Sequence, residues 1–384
     1  MERKIYCLNK ISKVGLGVLP SNYKVVEELE GADAVLVRSA AMHEMDLPES
    51  VVAVARAGAG VNNIPLDKYA EKGVVVFNTP GANANAVKEL TIAMMLLAAR
   101  DIRGSMEWVK ANKEDSEINK TMEKAKGAFA GTEIMGKTLG VIGCGAIGAL
   151  VADAAHKLGM KVIGSEPSMA TRERNKELLT AVEFVELDEL LQRSDYITVH
   201  VPLLDATRGM INKDALAKCK DGIIIINAAR DALINDDDMK EALASGKVRK
   251  YVTDFPNYKS ANTEGVVAIS HLGASTEEAE DNCAMMAANQ VVNFVENGNI
   301  VNSVNYPNLD LGAKSSPRVV ILHKNSEHVC EKASEILKKH GHKISKFVTG
   351  TKGNFGATIF EIDRIDDCIE EIKILPEVIR VYSK

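Results

Sequence analysis

No block of lysine or arginine occurs in the 384 residues, and the net charge is −6. Nucleic acids and anionic membrane surfaces call for a clustered basic face, so neither partner is expected. Apolar runs never approach the ~20 residues that a bilayer-crossing helix needs. Residues 1–20 have no sustained apolar stretch and no small-residue cleavage site. They read as no signal peptide, and a cytoplasmic protein is expected. Cysteine is sparse: Cys7, Cys144, Cys219, Cys283, Cys330 and Cys368 are scattered, without C-x-x-C spacing. Reduced, mostly buried thiols are expected, with no disulfide and no metal site. Tryptophan occurs once, at Trp108, and reads as a packing residue. What remains is ordinary for a globular chain, 46% hydrophobic and 26% charged. The length is too great for one core, so two or three domains are expected.

Most informative is the stretch 137–166, KTLGVIGCGAIGALVADAAHKLGMKVIGSE. Its apolar run at 138–142 predicts a buried parallel strand. Gly143, Gly145 and Gly148 follow as G-x-G-x-x-G, with Ala146 and Ile147 between the last two. A helix is predicted over 149–158 and a second strand over 161–164, followed by an acid, Glu166. The first glycine permits the tight turn, the second lets backbone approach a pyrophosphate, and the third lets helix pack on strand. The helix start offers free N–H groups and a positive dipole end to phosphates. A carboxylate at Glu166 accepts hydrogen bonds from ribose hydroxyls and repels a 2′-phosphate, which favours NAD over NADP. Strand, helix, strand and acid in this order make the motif specific.

Around that unit the chain keeps a βαβ rhythm. Strands are predicted at 34–38, 51–55 and 74–78, then a long apolar helix over 86–100. Arg38 and Arg56 end strands, where open parallel sheets bind ligands. They read either as anion clamps or as ordinary surface ion pairs. After Glu166, helices are predicted at 170–179, 187–192, 210–218, 237–245 and 277–297. Strands are predicted at 196–201, 222–227, 251–254 and 266–270. Residues 305–317, with two prolines, read as a linker. Residues 318–384 follow in the order β-α-β-β-α-β, a ferredoxin-like pattern without a catalytic cluster. The expected fold is α/β, with two parallel-sheet domains and a small antiparallel one.

Three side chains follow strands in the second half: Arg230, Asp254 and His271. A histidine can shuttle a proton near neutral pH, and an arginine can grip a carboxylate and polarise a carbonyl. Together they suit hydride transfer coupled to proton transfer at an alcohol carbon. The plainer reading of His271 is a structural histidine after a strand.

These residues resemble the D-isomer-specific 2-hydroxyacid dehydrogenase family. The matching segments are VRS at 37–39, RAGAGVNNI at 56–64, NTPGAN at 78–83, GKTLGVIGCGAIG at 136–148, HVPLLDATRGMIN at 200–212, IINAAR at 225–230 and SHLGASTEEAE at 270–280. They cover nearly all of the first 300 residues. The resemblance implies two Rossmann-like domains: a substrate domain at 1–96, completed by about 285–304, and an NAD domain at 97–284. Residues 318–384 resemble an ACT domain, a regulatory and assembly module. His271 is implied as general acid/base and Arg230 as the substrate-carboxylate arginine. NAD contacts are implied at Gly143, Gly145, Ala146, Ile147, Gly148, Glu166, Pro202, Thr207, Ala228, Arg230, Asp254, His271 and Gly273. Arg38, Ser39, Arg56, Gly58 and Asn83, with Arg230 and His271, match substrate positions. The implied reaction is NAD-dependent oxidation of 3-phospho-D-glycerate to 3-phosphohydroxypyruvate, the entry step of serine synthesis, by a homodimer or homotetramer. Two alternatives stand: another D-2-hydroxy acid (glycerate, hydroxypyruvate or lactate), or an NAD-binding homologue with impaired catalysis.

The second alternative comes from a departure. Where the family has a glutamate bonded to the catalytic histidine, the turn Asp254-Phe255-Pro256-Asn257 leads to Tyr258. Glu264, downstream in the same loop, is the candidate replacement. Asp231-Ala232 stands where two glycines are usual. In the ACT-like part, His323-Lys324-Asn325-Ser326-Glu327-His328 lacks the Pro/Gly turn of an amino-acid effector site, which puts serine feedback in doubt.

Overall fold

The computed structural model describes residues 2–326 and 328–384; Glu327, within the 323–328 segment, lies outside them. Two compact units divide the chain: residues up to Asn83 together with Glu277–Lys384, and Ala84–Thr276.

The Ala84–Thr276 unit is built on a seven-stranded parallel sheet. Its order is Val266–Ala268, Val248–Thr253, Ile223–Asn227, Tyr196–Val199, Thr138–Ile142, Lys161–Ser165, Val182–Phe184. The apolar 222–227 run forms its strand because helices cover both faces; the side chains of Ile223–Asn227 are all buried. Strand order reverses beside Thr138–Ile142, the switch point where such sheets bind ligands. Helix Ala84–Ala99 belongs here, because Met94, Met95, Ala98 and Ala99 join the core around Leu139, Val151 and Ala155. The boundary therefore falls at 83/84, not at 96/97 as the sequence suggested.

The other unit opens with a five-stranded parallel sheet, ordered Tyr23–Val26, Arg3–Cys7, Ala34–Val37, Ala53–Arg56, Val75–Phe77. Its switch point lies between Arg3–Cys7 and Ala34–Val37. Helix Glu277–Asn297 covers this sheet through Ala284, Ala287, Val291 and Phe294. It joins the unit from Glu277, not from about residue 285.

The last four strands, Arg318–Lys324, Ile344–Lys352, Phe355–Ile362 and Val378–Ser383, make an antiparallel sheet in the order second, third, first, fourth, with two helices: the ferredoxin-like arrangement. Alternation explains its uninterrupted apolar strands. Val319, Ile321, Phe360 and Ile362 face the sheet's own helices. Val320, Leu322, Ala357 and Ile359 face the other way and share a core with Phe77 and Phe294.

That shared core corrects the linker expected at 305–317. Tyr306 is fully buried, and its hydroxyl donates to the carbonyl of Ala70 at 2.6 Å. Asn305 accepts from the N–H of Val76 at 2.9 Å and donates to the carbonyl of Val74 at 2.9 Å. Asn305, Tyr306, Pro307 and Leu309 are buried, whereas residues 312–315 are exposed.

Candidate active site

At the end of strand Thr138–Ile142, Gly143 adopts φ 86° and donates to the carbonyl of Ser165 at 2.9 Å. A β-carbon on Gly148 would collide with the Gly143 carbonyl. Gly145 differs: no atom lies within 4 Å of where its β-carbon would stand. That open space adjoins the start of helix Ala146–Lys157. The helix begins three residues before the predicted 149, so Ala146, Ile147 and Gly148 supply its unpaired first-turn N–H groups. A cradle free of side chains, facing a helix start, fits a pyrophosphate.

Glu166 stands at the rim of this cradle. Its carboxylate accepts from the N–H of Cys144 at 3.1 Å and of Ser168 at 3.0 Å. The oxygens keep lone pairs for ribose hydroxyls. Cys144 is buried; burial first, then the Glu166 charge, pushes its thiol up to about 12. Such a thiol is inert and serves as a small packing residue in the glycine loop. Across the switch point, the N–H of His200 bonds the carbonyl of Ile142 at 2.8 Å. Its imidazole meets the Thr198 hydroxyl at 2.9 Å, and burial pushes it down to about 4, so it is uncharged at neutral pH. The Thr207 hydroxyl donates to the carbonyl of Pro202 at 2.6 Å and accepts from the N–H of Leu204 at 2.8 Å. Thr207 thus closes the 202–207 turn. Replacing Glu166 with alanine removes a charged acceptor but spares the glycine geometry. The preference for NAD over NADP in kcat/KM should fall by about tenfold, measured with both coenzymes.

The chemical end of the same unit is organised in part by two side chains to which sequence reasoning gave no site role, Asn227 and Phe255. Asn227, buried at the end of its strand, donates to the carbonyl of Arg230 at 2.8 Å and accepts from the N–H of Ala229 at 3.0 Å. It fixes the turn through Ala228, which is buried. The Arg230 guanidinium lies over the ring of Phe255, 5.0 Å from its centroid. The ring of His271 lies against the same Phe255, with centroids 4.3 Å apart. One aromatic ring therefore supports both the cation and the imidazole.

Asp254 holds His271 in place. Its main-chain carbonyl accepts from the N–H of His271 at 3.1 Å. Its carboxylate accepts from the N–H groups of Leu272 at 2.6 Å and Gly273 at 2.8 Å. Burial pushes this carboxyl up, and the two N–H groups and His271 work against that. Such a grip is required because His271 has φ 49°, a left-handed conformation that costs a non-glycine residue on the order of 1 kcal/mol. Asp254 is thus a positioning residue for the histidine, beyond the nicotinamide contact implied for it. Glu264 stands exposed between helix Tyr258–Ala261 and strand Val266–Ala268. Among the described residues no hydrogen bond or ion pair joins it to His271; the ring's neighbour is Phe255. Tyr258 is 86% exposed.

In the other unit, the remaining residues stand at the carboxyl end of the five-stranded sheet. Val37 and Arg56 are register partners, so Arg38 follows its strand one residue beyond the level of Arg56 on the adjacent strand. Asn9 organises the first: its side chain accepts from the N–H of Arg38 at 2.9 Å and donates to the Ser39 hydroxyl at 3.2 Å. Gly58, with φ 154°, a backbone conformation that side chains rarely adopt, leaves room for the Arg56 guanidinium folded over it. Glu280 meets the Arg38 guanidinium at 2.6 Å. Asn83 is half-buried in the turn before helix Ala84–Ala99. Asn9 follows strand Arg3–Cys7, in which only Ile5 is buried, so the sequence offered little signal for it.

Comparison with known proteins agrees with this geometry. A family model described as "D-isomer specific 2-hydroxyacid dehydrogenase, NAD binding domain" matches residues 92–273. The hydroxypyruvate reductase of Thermotoga maritima is 39% identical over 269 residues, 67% of this chain and 82% of that one. The chain belongs to the D-isomer-specific 2-hydroxyacid dehydrogenase family. The cofactor is NAD, and the enzyme is an oxidoreductase. A D-3-phosphoglycerate dehydrogenase of Methanocaldococcus jannaschii is 35% identical over 320 residues, 80% of this chain. The chain spans only 58% of that relative's length. Among solved structures, NAD+-bound 3-phosphoglycerate dehydrogenase of Entamoeba histolytica superposes with a TM-score of 0.62. It is 28% identical, over 79% of this chain and 98% of that one. No helix among the described residues is long and apolar enough to cross a membrane.

Proposed function

We propose that the chain oxidises 3-phospho-D-glycerate to 3-phosphohydroxypyruvate with NAD, the reaction that opens serine synthesis in the cytoplasm. The observation that carries the phosphorylated substrate is the pair Arg38 and Arg56, on adjacent strand ends of the five-stranded sheet. Two guanidiniums at the carboxyl ends of neighbouring strands offer a dianionic phosphate several charge-assisted hydrogen bonds. NAD, when bound, supplies the hydride acceptor. Arg230 pairs with the substrate carboxylate and polarises the neighbouring carbonyl oxygen in the reverse direction. His271 takes the alcohol proton at a ring nitrogen as the carbonyl forms, and returns it in reduction. Asp254 holds that ring in position through three main-chain contacts, and Phe255 keeps ring and guanidinium on one support.

A second reading has its own observations. Glu280 already holds Arg38, and the relative at 39% identity is named hydroxypyruvate reductase. An unphosphorylated acid needs no second arginine. Steady-state NADH formation from 3-phospho-D-glycerate and from D-glycerate separates the two. The phosphorylated acid is expected to give the higher kcat/KM. Arg38→Ala should lower kcat/KM for it by about 10- to 100-fold and leave D-glycerate nearly unchanged. Turnover of D-glycerate alone would overturn the phosphate assignment. NADH from neither would favour the impaired homologue.

We also propose a homo-oligomer. In helix Ile102–Ala111, Ile102, Met106 and Val109 form an exposed apolar stripe at helical spacing, and none of the helix's residues is buried. A second copy of the chain fits that face. The ferredoxin-like domain, with strand Ile344–Lys352 at a sheet edge, suits an ACT-type assembly role.

A further inference from the structure

Four side chains that the dehydrogenase reading does not use converge in the ferredoxin-like domain. His342 follows helix His328–Lys339. Asp363, Asp366 and Cys368 lie between strand Phe355–Ile362 and the end of the following turn, where helix Cys368–Lys373 begins. The His342 side chain is fully buried and Cys368 is 2% exposed. Nε2 of His342 stands 2.9 Å from a carboxylate oxygen of Asp366 and 3.3 Å from Sγ of Cys368. One ligand atom from each of the three residues lies within 4.8 Å of the others. Zinc bonds of 2.0–2.3 Å to oxygen, nitrogen and sulfur imply tetrahedral edges of roughly 3.3–3.6 Å. The histidine–sulfur separation matches those edges, and the histidine–carboxylate one is shorter and would lengthen on binding.

The second nitrogen matters as much. Nδ1 of His342 faces an oxygen of Asp363 at 3.3 Å. Asp363 is itself fixed by the N–H of Lys343 at 3.1 Å and by Arg364 at 2.9 Å. Metal-ligating histidines are ordinarily oriented by a carboxylate on the far nitrogen. A neutral imidazole that donates from Nδ1 turns its Nε2 lone pair toward an oxygen and a sulfur. Three electron-rich atoms then face one point, and a cation there converts their crowding into bonds.

The geometry points to a divalent transition-metal site made by His342, Asp366 and Cys368, with Asp363 as support. Thiolate, imidazole and carboxylate together select a zinc-like ion. As the metal–sulfur bond forms, the Cys368 thiol proton leaves to solvent. Asp366, 36% exposed, leaves one side open for water as the fourth ligand. Sequence spacing excluded such a site because it looked for neighbouring ligands; Cys368 and His342 are 26 residues apart and the sheet brings them together.

Cobalt(II) titration of the untagged, chelator-treated full chain tests this. One equivalent should bind and give a thiolate-to-cobalt charge-transfer band, and zinc should displace it. Cys368→Ser should lose the band, and Cys330→Ser should keep it. Asp363→Asn should weaken binding about 10- to 100-fold, which keeps the test decisive if Cys368→Ser folds poorly by circular dichroism. No cobalt uptake, or a band that survives Cys368→Ser in a folded chain, overturns the site and leaves a thiol hydrogen-bonded to His342. The dehydrogenase reading is untouched by either result.

Discussion

Replacing His271 with asparagine should lower kcat about 10²- to 10⁴-fold, the range for removal of a positioned general acid–base. NADH binding, measured by fluorescence titration, should weaken far less than kcat falls, because the glycine cradle and Glu166 are built by other strands. The asparagine is chosen for the backbone. His271 has φ 49°, and asparagine tolerates that region better than other non-glycine residues. The fall in rate then reports the lost imidazole and not a collapsed turn. Asp254→Asn gives the complementary result. It keeps the side-chain shape but weakens the acceptors of the Leu272 and Gly273 N–H groups. Its kcat should drop less than that of His271→Asn, with the pH–rate profile shifted. Glu264→Gln should leave both kcat and profile alone, since no contact joins Glu264 to the ring. An equal loss in Glu264→Gln would instead assign it the role of the missing family glutamate. A normal rate in His271→Asn would remove the proton-transfer assignment altogether.

How far the chain could be read depended on how local each signal was. The glycine loop was legible because turn, close approach and helix start are set by residues within a few positions. Glu166 was legible for the same reason. Buried strands such as Ile223–Asn227 were legible as unbroken β-branched runs. Strands Arg3–Cys7 and Tyr23–Val26 were not, because Lys4 and Lys24 interrupt them and few of their side chains are buried. The roles of Asn9, Asn227 and Phe255 were also hidden. Each acts on a turn or a ring that only the folded sheet brings to it. The shared support of Arg230 and His271 on Phe255 could be guessed as proximity but not as contact. Helix Ala84–Ala99 was found, yet its unit was not, since an apolar stripe does not name the core it fills.

The segment 305–317 is the clearest case, and it carries the second large effect. Arg318 is fully buried with Glu361, N–H to carboxylate at 2.8 Å. Its guanidinium also donates to the carbonyls of Asn297 at 2.8 Å, Gly312 at 3.0 Å and Leu311 at 3.2 Å, and to the Asn299 side chain at 3.0 Å. One cation thus ties strand Arg318–Lys324 to the end of helix Glu277–Asn297 and to the segment between them. Arg318→Met leaves Glu361 buried without its partner, which costs about 3–5 kcal/mol. The loss should appear in calorimetry and as faster amide exchange across 305–317. Adding Glu361→Leu should recover much of it, because the stranded charge is then gone.

The same pair sets an acid limit. Burial alone would raise the Glu361 carboxyl, but the Ser315 hydroxyl and Arg318 outweigh it and hold the carboxyl down at about 2, against an ordinary 4.5. Between those values the unfolded chain binds the proton and the folded chain does not. Stability from this group is therefore complete above pH 4.5 and is lost as the pH falls toward about 2. In Glu361→Gln that part of the acid limb should flatten while the baseline stability drops. An acid limb identical in both proteins would mean that other carboxylates govern acid unfolding, and that the Arg318 network is held by its carbonyl contacts more than by its charge partner.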